Sequence, residues 1–299
     1  MTDGCAKGHQ QKKLKESHSM GAAEPQFIEV GKNGQRRKIA VRKDAGRSPG
    51  LLWLSGFKSD MSGTKAEALS AFARERGQEA VRFDYSGHGL SEGAFEEACV
   101  SDWLEEAEAV FDTCTSGETI LVGSSMGGWI ALLLALSRKE TSRIKGLILI
   151  APATDFTEEL MWKERFSDEI RAAILQDGRW EQPSDYSDDP YVITRKLIED
   201  GRSHLLFGSP LQIGVPVTIL QGALDPDVPL GHAERLVQAL PQDDVTFTVV
   251  PDGDHRLSRP EDIELLIRSA ASMIWVRVLL KALGERLTDS DWRSLNGLE

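Results

Sequence analysis

Gly123-Ser124-Ser125-Met126-Gly127-Gly128 is the stretch whose reading decides the fold. It follows a β-leaning apolar run, Thr119-Ile120-Leu121-Val122, and precedes Trp129-Ile130-Ala131-Leu132-Leu133-Leu134-Ala135-Leu136, whose composition suits a buried helix. Strand, turn and helix are therefore predicted in succession. The spacing Gly-x-Ser-x-Gly puts a serine on a strained turn with its hydroxyl exposed at the top of a sheet. Ser125 is the candidate nucleophile. Glycines two residues before and after it, Gly123 and Gly127, leave room where larger side chains would collide with the neighbouring strand and helix. The same residues also fit a Gly/Ser-rich loop without chemistry, so partners elsewhere in the chain must decide.

Outward from this turn the chain alternates strands and helices. Phe27 to Val30 and Lys38 to Lys43 read as two short strands joined by the turn Gly31-Lys32-Asn33-Gly34. Gly50-Leu51-Leu52-Trp53-Leu54 is a continuous apolar run, as expected of a strand covered on both faces. Thr64 to Arg76 is an amphipathic helix stopped by Gly77, and Ala80 to Tyr85 is the next strand, followed by the turn Ser86-Gly87-His88-Gly89. After a helix over Asp102 to Cys114 and the central strand-turn-helix comes a sixth strand, Ile144 to Ala151. Such alternation predicts right-handed βαβ units and a mainly parallel sheet in an α/β fold.

The rhythm breaks at Asp155. From there to about Gln212 the chain is charged, carries Trp162, Phe166, Trp180 and Tyr186, and shows only short helical periodicity. We read this segment as a small helical cap inserted after the sixth strand, above the carboxyl ends where ligands bind in open α/β sheets. The sheet then resumes with Val215 to Leu220, a helix over Gly231 to Leu240, a strand over Val245 to Val250 and a closing helix from Asp262 to about Leu283.

Composition narrows the function. A formal charge of -12 over 299 residues, with a pI near 5.1, opposes a broad nucleic-acid footprint, which needs clustered cations. No run reaches the roughly 18 apolar residues of a membrane span. The three cysteines, Cys5, Cys99 and Cys114, make no disulfide or metal framework and suit a reducing compartment. Met1 to Glu24 is polar, without the apolar run that a secretory signal would need, and is expected to be a disordered tail rather than such a signal, ahead of one domain over residues 25–299. No metal or cofactor is implied.

A serine hydroxyl needs an adjacent base, itself oriented by an acid. Both candidates follow strands. Asp225 lies in Gly222-Ala223-Leu224-Asp225-Pro226-Asp227-Val228-Pro229, and its framing favours it over Asp227 as the acid. His255 lies in Asp252-Gly253-Asp254-His255-Arg256 and is the candidate base. His88, in its Gly-x-Gly turn, reads as a structural turn residue rather than a second base. Acyl transfer also needs donors for a developing oxyanion. The N–H after the nucleophile, that of Met126, is one candidate, and that of Phe57 in Ser55-Gly56-Phe57 is the other.

These motifs carry a resemblance. The runs Trp53-Leu54-Ser55-Gly56-Phe57-Lys58-Ser59-Asp60-Met61, Phe83-Asp84-Tyr85-Ser86-Gly87-His88-Gly89, Gly123-Ser124-Ser125-Met126-Gly127-Gly128-Trp129 and Gly253-Asp254-His255-Arg256-Leu257 are similar to those of one α/β-hydrolase group. That group contains the mitochondrial palmitoyl-protein thioesterase with acyl-glucuronide esterase activity and its bacterial relatives. The resemblance implies Ser125 as nucleophile, Asp225 as acid, His255 as base, and Phe57 and Met126 as oxyanion donors. Many hydrolases carry His-Gly before the oxyanion residue; this chain has Ser55-Gly56, as that group does.

The expectation is a serine hydrolase of ester or thioester bonds, acting on a small molecule or an acylated protein. A bacterial cytoplasm or a mitochondrial matrix would suit it. Rival readings are a small-molecule esterase, lactonase or peptidase on the same three residues, or a ligand-binding protein that keeps the fold without turnover.

Overall fold

The structure, a computed structural model, describes residues 24–31, 36–182 and 191–284. The tail expected over residues 1–24 lies outside the described residues apart from its last position, as do most of the turn after Gly31, and Cys5 and Tyr186.

The chain opens with β1 (Gln26–Val30) and β2 (Arg37–Asp44), an antiparallel pair. Then follow β3 (Arg47–Leu54), α1 (Thr64–Glu75), β4 (Gln78–Phe83), α2 (Val100–Cys114), β5 (Thr119–Ser124), α3 (Met126–Ser137) and β6 (Ile144–Ile150). Past an insertion come β9 (Val217–Gly222), α6 (Leu230–Ala239), β10 (Val245–Val250) and α7 (Pro260–Gly284). The eight strands of the main sheet run in the order β1-β2-β4-β3-β5-β6-β9-β10. From β4 to β10 every neighbouring pair is parallel.

The apolar runs are continuous because both faces of these strands are covered. Alternate residues go to opposite sides. Leu51, Trp53, Ile120, Val122, Ile148 and Ile150 pack with Leu69 of α1 and Leu266 of α7. Leu52, Leu54, Leu121, Leu147 and Leu149 pack with Trp103 of α2, Trp129 of α3 and Leu236 of α6. α3 runs between β5 and a roof of α2 and inserted chain, and all ten residues from Met126 to Ala135 are buried. A helix apolar on every side is what such enclosure demands.

The strand order fixes where chemistry can occur. The crossover β3-α1-β4 steps one way along the sheet and β4-α2-β5 steps back, so β3 and β5 are neighbours whose following helices leave on opposite faces. Such a reversal opens a crevice at the carboxyl ends of the strands. With Leu54 beside Gly123 in register, the loop after β3 and the turn after β5 face one another across it.

The insertion between β6 and β9 is more than helical. It holds a wide helical turn over Thr157–Arg165, α4 (Asp168–Asp177), α5 (Arg195–Gly201) and a two-stranded antiparallel ribbon of β7 (Arg179–Gln182) and β8 (Tyr191–Thr194). Four-residue strands carry too little periodicity to be read from sequence. The two ends of the insertion are drawn together by Asp155, at φ 56°, whose carboxylate accepts the N–H groups of Leu206 at 2.9 Å and Phe207 at 2.8 Å. Burial pushes the Asp155 carboxyl up to about 6 in spite of those donors. Among the described residues no helix is long and apolar enough to cross a membrane.

The first turn of α3 reaches the end of β3 only because position 127 lacks a side chain. A Cβ there would stand 2.0 Å from the carbonyl oxygen of Leu54, and one at position 123 would stand 2.2 Å from that of Gly127. Backbone cannot give way as a flexible side chain can. Gly127→Ala should therefore push α3 off the sheet and lower stability by about 1–3 kcal/mol, the usual cost of overpacking, as read from denaturant midpoints at unchanged m-value.

Candidate active site

Ser125 joins β5 to α3 with φ 54° and ψ -119°. A side-chain-bearing residue in that sparsely populated region costs about 1–3 kcal/mol and persists only when its surroundings over-determine it. They do so here. Ser125 N–H donates to the carbonyl of Ile150 at 2.8 Å, and its own carbonyl accepts from Gly128 N–H at 2.9 Å and Ala153 N–H at 3.1 Å. The turn is thus clamped between α3 and the segment leaving β6.

Asp225 follows β9 and His255 follows β10. Parallel pairing of these two strands, through Val250 opposite Gly222, sets their loops side by side. Backbone bonds then stitch the loops together, from Ala223 N–H to Val250 C=O and from Leu224 N–H to Gly253 C=O, each 2.9 Å. Gly222 permits the contact, since a Cβ there would meet the Gly253 carbonyl oxygen at 2.4 Å.

Three side chains separated by 100 and 30 residues in sequence meet in one line. His255 Nδ1 lies 2.8 Å from Asp225 Oδ2, and His255 Nε2 lies 3.1 Å from Ser125 Oγ. With the carboxylate an acceptor, Nδ1 carries the proton, and Nε2 presents its lone pair to the serine hydroxyl. Asp225 is buried, and its remaining capacity is occupied. Oδ1 accepts the N–H groups of Asp227 and Val228, both at 2.8 Å, and Oδ2 also accepts from Gln221 Nε2 at 3.1 Å. Asp227, the other acid considered, sits at the cleft rim with Oδ1 3.6 Å from Arg165.

Asp225, Asp227 and His255 are also the one group, among the described residues, whose ligand atoms cluster closely enough to suggest a cation, within 4.8 Å of one another. The bonds just described already engage both Asp225 oxygens and the Nδ1 of His255, so this donor set fits a hydrogen-bonded relay better than a metal.

The loop after β3 supplies the opposite wall. Gly56 lies against the turn, where a Cβ would be 3.3 Å from the Ser124 carbonyl oxygen and 3.4 Å from Ser125 Cβ. Phe57 lines the same cleft as Ser125 and His255. Met126 opens α3, so its N–H is one of those that an α-helix leaves without an intrahelical partner. The two residues singled out in the sequence thus follow neighbouring strands, Phe57 after β3 and Met126 after β5.

The cleft holds about 470 Å³. Phe57, Phe156, Leu160, Met161 and Val228 give it apolar walls, and Lys58, Asp60, Lys65, Arg165 and Arg256 line its more polar margin. Three of the apolar residues come from the start of the insertion, where Met161 N–H reaches back five residues to Phe156 C=O at 2.8 Å. Widened helical turns of this kind recur at functional sites because they re-aim side chains. Which residues of the insertion would form this wall was not legible in the chain, because the insertion lacks a clean period. Lys65 was also unmarked. Its ammonium bonds the carbonyl of Arg256 and, at 3.3 Å, Ser258 Oγ, tying the His255 loop to α1, and burial draws its pKa down to about 8.

Among the remaining histidines, His232 is buried with Nε2 2.8 Å from the Thr154 carbonyl, and His204 faces Ser101 Oγ at 2.7 Å. Neither reaches Ser125. His9 and His18 lie outside the described residues. Cys99 and Cys114 are buried free thiols.

Comparisons with known proteins agree with this architecture. Residues 49–264 match the model of the alpha/beta hydrolase family. The human mitochondrial palmitoyl-protein thioesterase ABHD10 is 33% identical over 238 residues, covering 79% of this chain and 76% of that protein. A solved protein of Agrobacterium vitis S4, assigned provisionally as a hydrolase, superposes with a TM-score of 0.81 at 46% identity, covering 84% of this chain and 98% of its own. Mouse alpha/beta hydrolase domain-containing protein 10 superposes with a TM-score of 0.75 at 31% identity, again covering 84% and 98%. With the family model matching residues 49–264 and a relative 33% identical over 79% of the chain, this chain belongs to the alpha/beta hydrolase family.

Proposed function

We propose that this protein is a serine hydrolase that cleaves carboxylic ester or thioester bonds through an acyl-enzyme. One observation carries the reading: His255 bridges Ser125 Oγ and Asp225 Oδ2 at hydrogen-bonding distance on both sides.

In the first half-reaction Ser125 Oγ bonds to the acyl carbon while its proton passes to His255 Nε2. Asp225 keeps the imidazole in the tautomer that accepts at Nε2 and stabilises the imidazolium that forms. The N–H groups of Phe57 and Met126 receive the negative charge on the former carbonyl oxygen. Collapse breaks the bond to the alcohol or thiol, which leaves with the proton from His255. Water then attacks the Ser125 ester, His255 takes a proton from it, and the carboxylic acid departs with Ser125 restored.

The substrate's acyl group fits the wall of Phe57, Phe156, Leu160, Met161 and Val228. The mixed charges at the margin suit a polar leaving group that remains near solvent. The relatives named as palmitoyl-protein thioesterases support an acylated-protein or small acyl thioester substrate, with the acyl chain as the feature recognised.

Ser125→Ala should lower kcat for p-nitrophenyl esters by on the order of 10⁶-fold, and Asp225→Asn by roughly 10⁴-fold, with both variants melting near the wild type. A fluorophosphonate should label the wild type on Ser125. Near-wild-type turnover by Ser125→Ala would remove the assignment, and failure of the folded wild type to label would favour a binding protein without turnover.

In a series of straight-chain acyl esters and thioesters, kcat/KM should climb beyond butyryl by up to about fourfold per methylene, the factor that ~0.8 kcal/mol of transfer energy allows. A maximum at acetyl would show that the apolar wall does not receive the acyl chain.

A further inference from the structure

Beneath the loop that carries Phe57 lies a buried imidazole with no part in the relay. His88, in the turn after β4, is only 5% exposed. Its Nε2 accepts the backbone N–H of Lys58 at 3.0 Å, and its Nδ1 lies 3.0 Å from the Ser86 carbonyl oxygen. A backbone N–H can only donate, so Nε2 bears the lone pair and Nδ1–H donates to Ser86. The tautomer is fixed from both sides.

The bond to Lys58 falls at the one strained point of this loop. Ser59 N–H donates to Gly56 C=O at 3.1 Å, which closes a β-turn with Phe57 and Lys58 as its central residues. Lys58 has φ 54°, in the left-handed region. Positive φ at the third residue of a turn belongs to the type in which the central peptide is rotated over, a form that normally asks for glycine or asparagine. A lysine there is strained, and the N–H that the rotation exposes needs a buried acceptor. The His88 ring supplies it.

The same turn holds the loop in two other ways. Asp84 Oδ1 accepts Met61 N–H at 2.6 Å, anchoring the far end of the loop. Phe57, Phe95 and Trp103 pack as an aromatic cluster in which His88 faces Phe95 and Trp103, with ring centroids 5.3 and 5.6 Å away. Burial draws the His88 imidazolium down to about 4, so the ring stays neutral and able to accept at ordinary pH.

The geometry points to His88 as the positioning residue of the oxyanion hole: its Nε2 holds the Lys58 N–H, keeps the peptide after Phe57 rotated, and thereby fixes the Phe57 N–H beside Ser125. This deepens the serine-hydrolase reading and rests on it. His88 touches no reacting atom, so its loss acts through the loop. The effect falls where the oxyanion is bound, in the transition state, and leaves ground-state binding in the acyl cleft unchanged.

The test compares His88→Leu, which keeps bulk but removes the acceptor, with His88→Gln, whose amide can accept from Lys58 and donate to Ser86. On p-nitrophenyl butyrate, His88→Leu should lose about 10- to 100-fold in kcat with KM within about twofold, and its affinity for a trifluoromethyl ketone should fall in proportion. His88→Gln should recover most of both. Unchanged kcat in His88→Leu, a loss confined to KM, or no recovery in His88→Gln would overturn the assignment. Amide hydrogen exchange separates the two layers of inference. An inactive wild type would refute the hydrolase reading, while exchange at Lys58 would still report the tether. It should quicken about tenfold or more in His88→Leu and return in His88→Gln, and equal exchange in all three proteins would refute the tether.

Discussion

The backbone contact between the first turn of α3 and the end of β3 is the constraint on which the rest of this structure depends. Gly127 lies so close to the Leu54 carbonyl that no side chain fits between them. Bringing helix and strand together at that distance leaves the residue before α3 little choice of conformation, and Ser125 is driven to φ 54°. Strain at this point is the means by which a hydroxyl is lifted out of a buried strand into an open crevice.

From that contact the other parts follow through the sheet. Parallel neighbours end at the same edge, so strands β3, β5, β9 and β10 deliver their loops to one rim. Each loop then needs its own restraint, because loops have no ladder to hold them. Asp225 is fixed by backbone N–H groups of its own turn, His255 by stitching to the Asp225 loop and by Lys65, and Phe57 by the Asp84–His88 turn. A recurring device, at Asp225, Asp84 and His88, is a buried polar side chain that accepts backbone N–H groups of a loop. Such groups are costly when unpaired in a desolvated setting, so these pairings rigidify as well as fasten.

Much of this was legible in the chain. The continuous apolar runs at β3, β5 and β6, the elbow glycines and the serine-acid-histidine order are local patterns, and the structure brings Ser125, Asp225 and His255 within hydrogen-bonding reach as those patterns lead one to expect. The acidic loop offered Asp225 and Asp227 two residues apart, and the structure pairs His255 with Asp225 while Asp227 turns to Arg165. The β7–β8 ribbon was not legible, since its strands hold four residues each. The His88 ring meets the Lys58 N–H and the Ser86 carbonyl, and a Gly-x-Gly turn says nothing about which backbone N–H its ring will meet.

What the sequence determined by itself was the α/β class, the strained serine turn and the set of chemically competent residues. Each depends on spacing within a few residues, where glycine size, strand and helix periods and turn chemistry act directly. What only the tertiary structure decided was the partner of each group: Asp225 for His255, Asp155 for the two ends of the insertion, Phe156 and Leu160 for the apolar wall of the cleft, His88 for Lys58. These contacts span from 30 residues of chain, between Asp225 and His255, to 99, between Phe57 and Phe156, and their geometry comes from strand order and helix packing, summed over many weak contacts that no local pattern encodes.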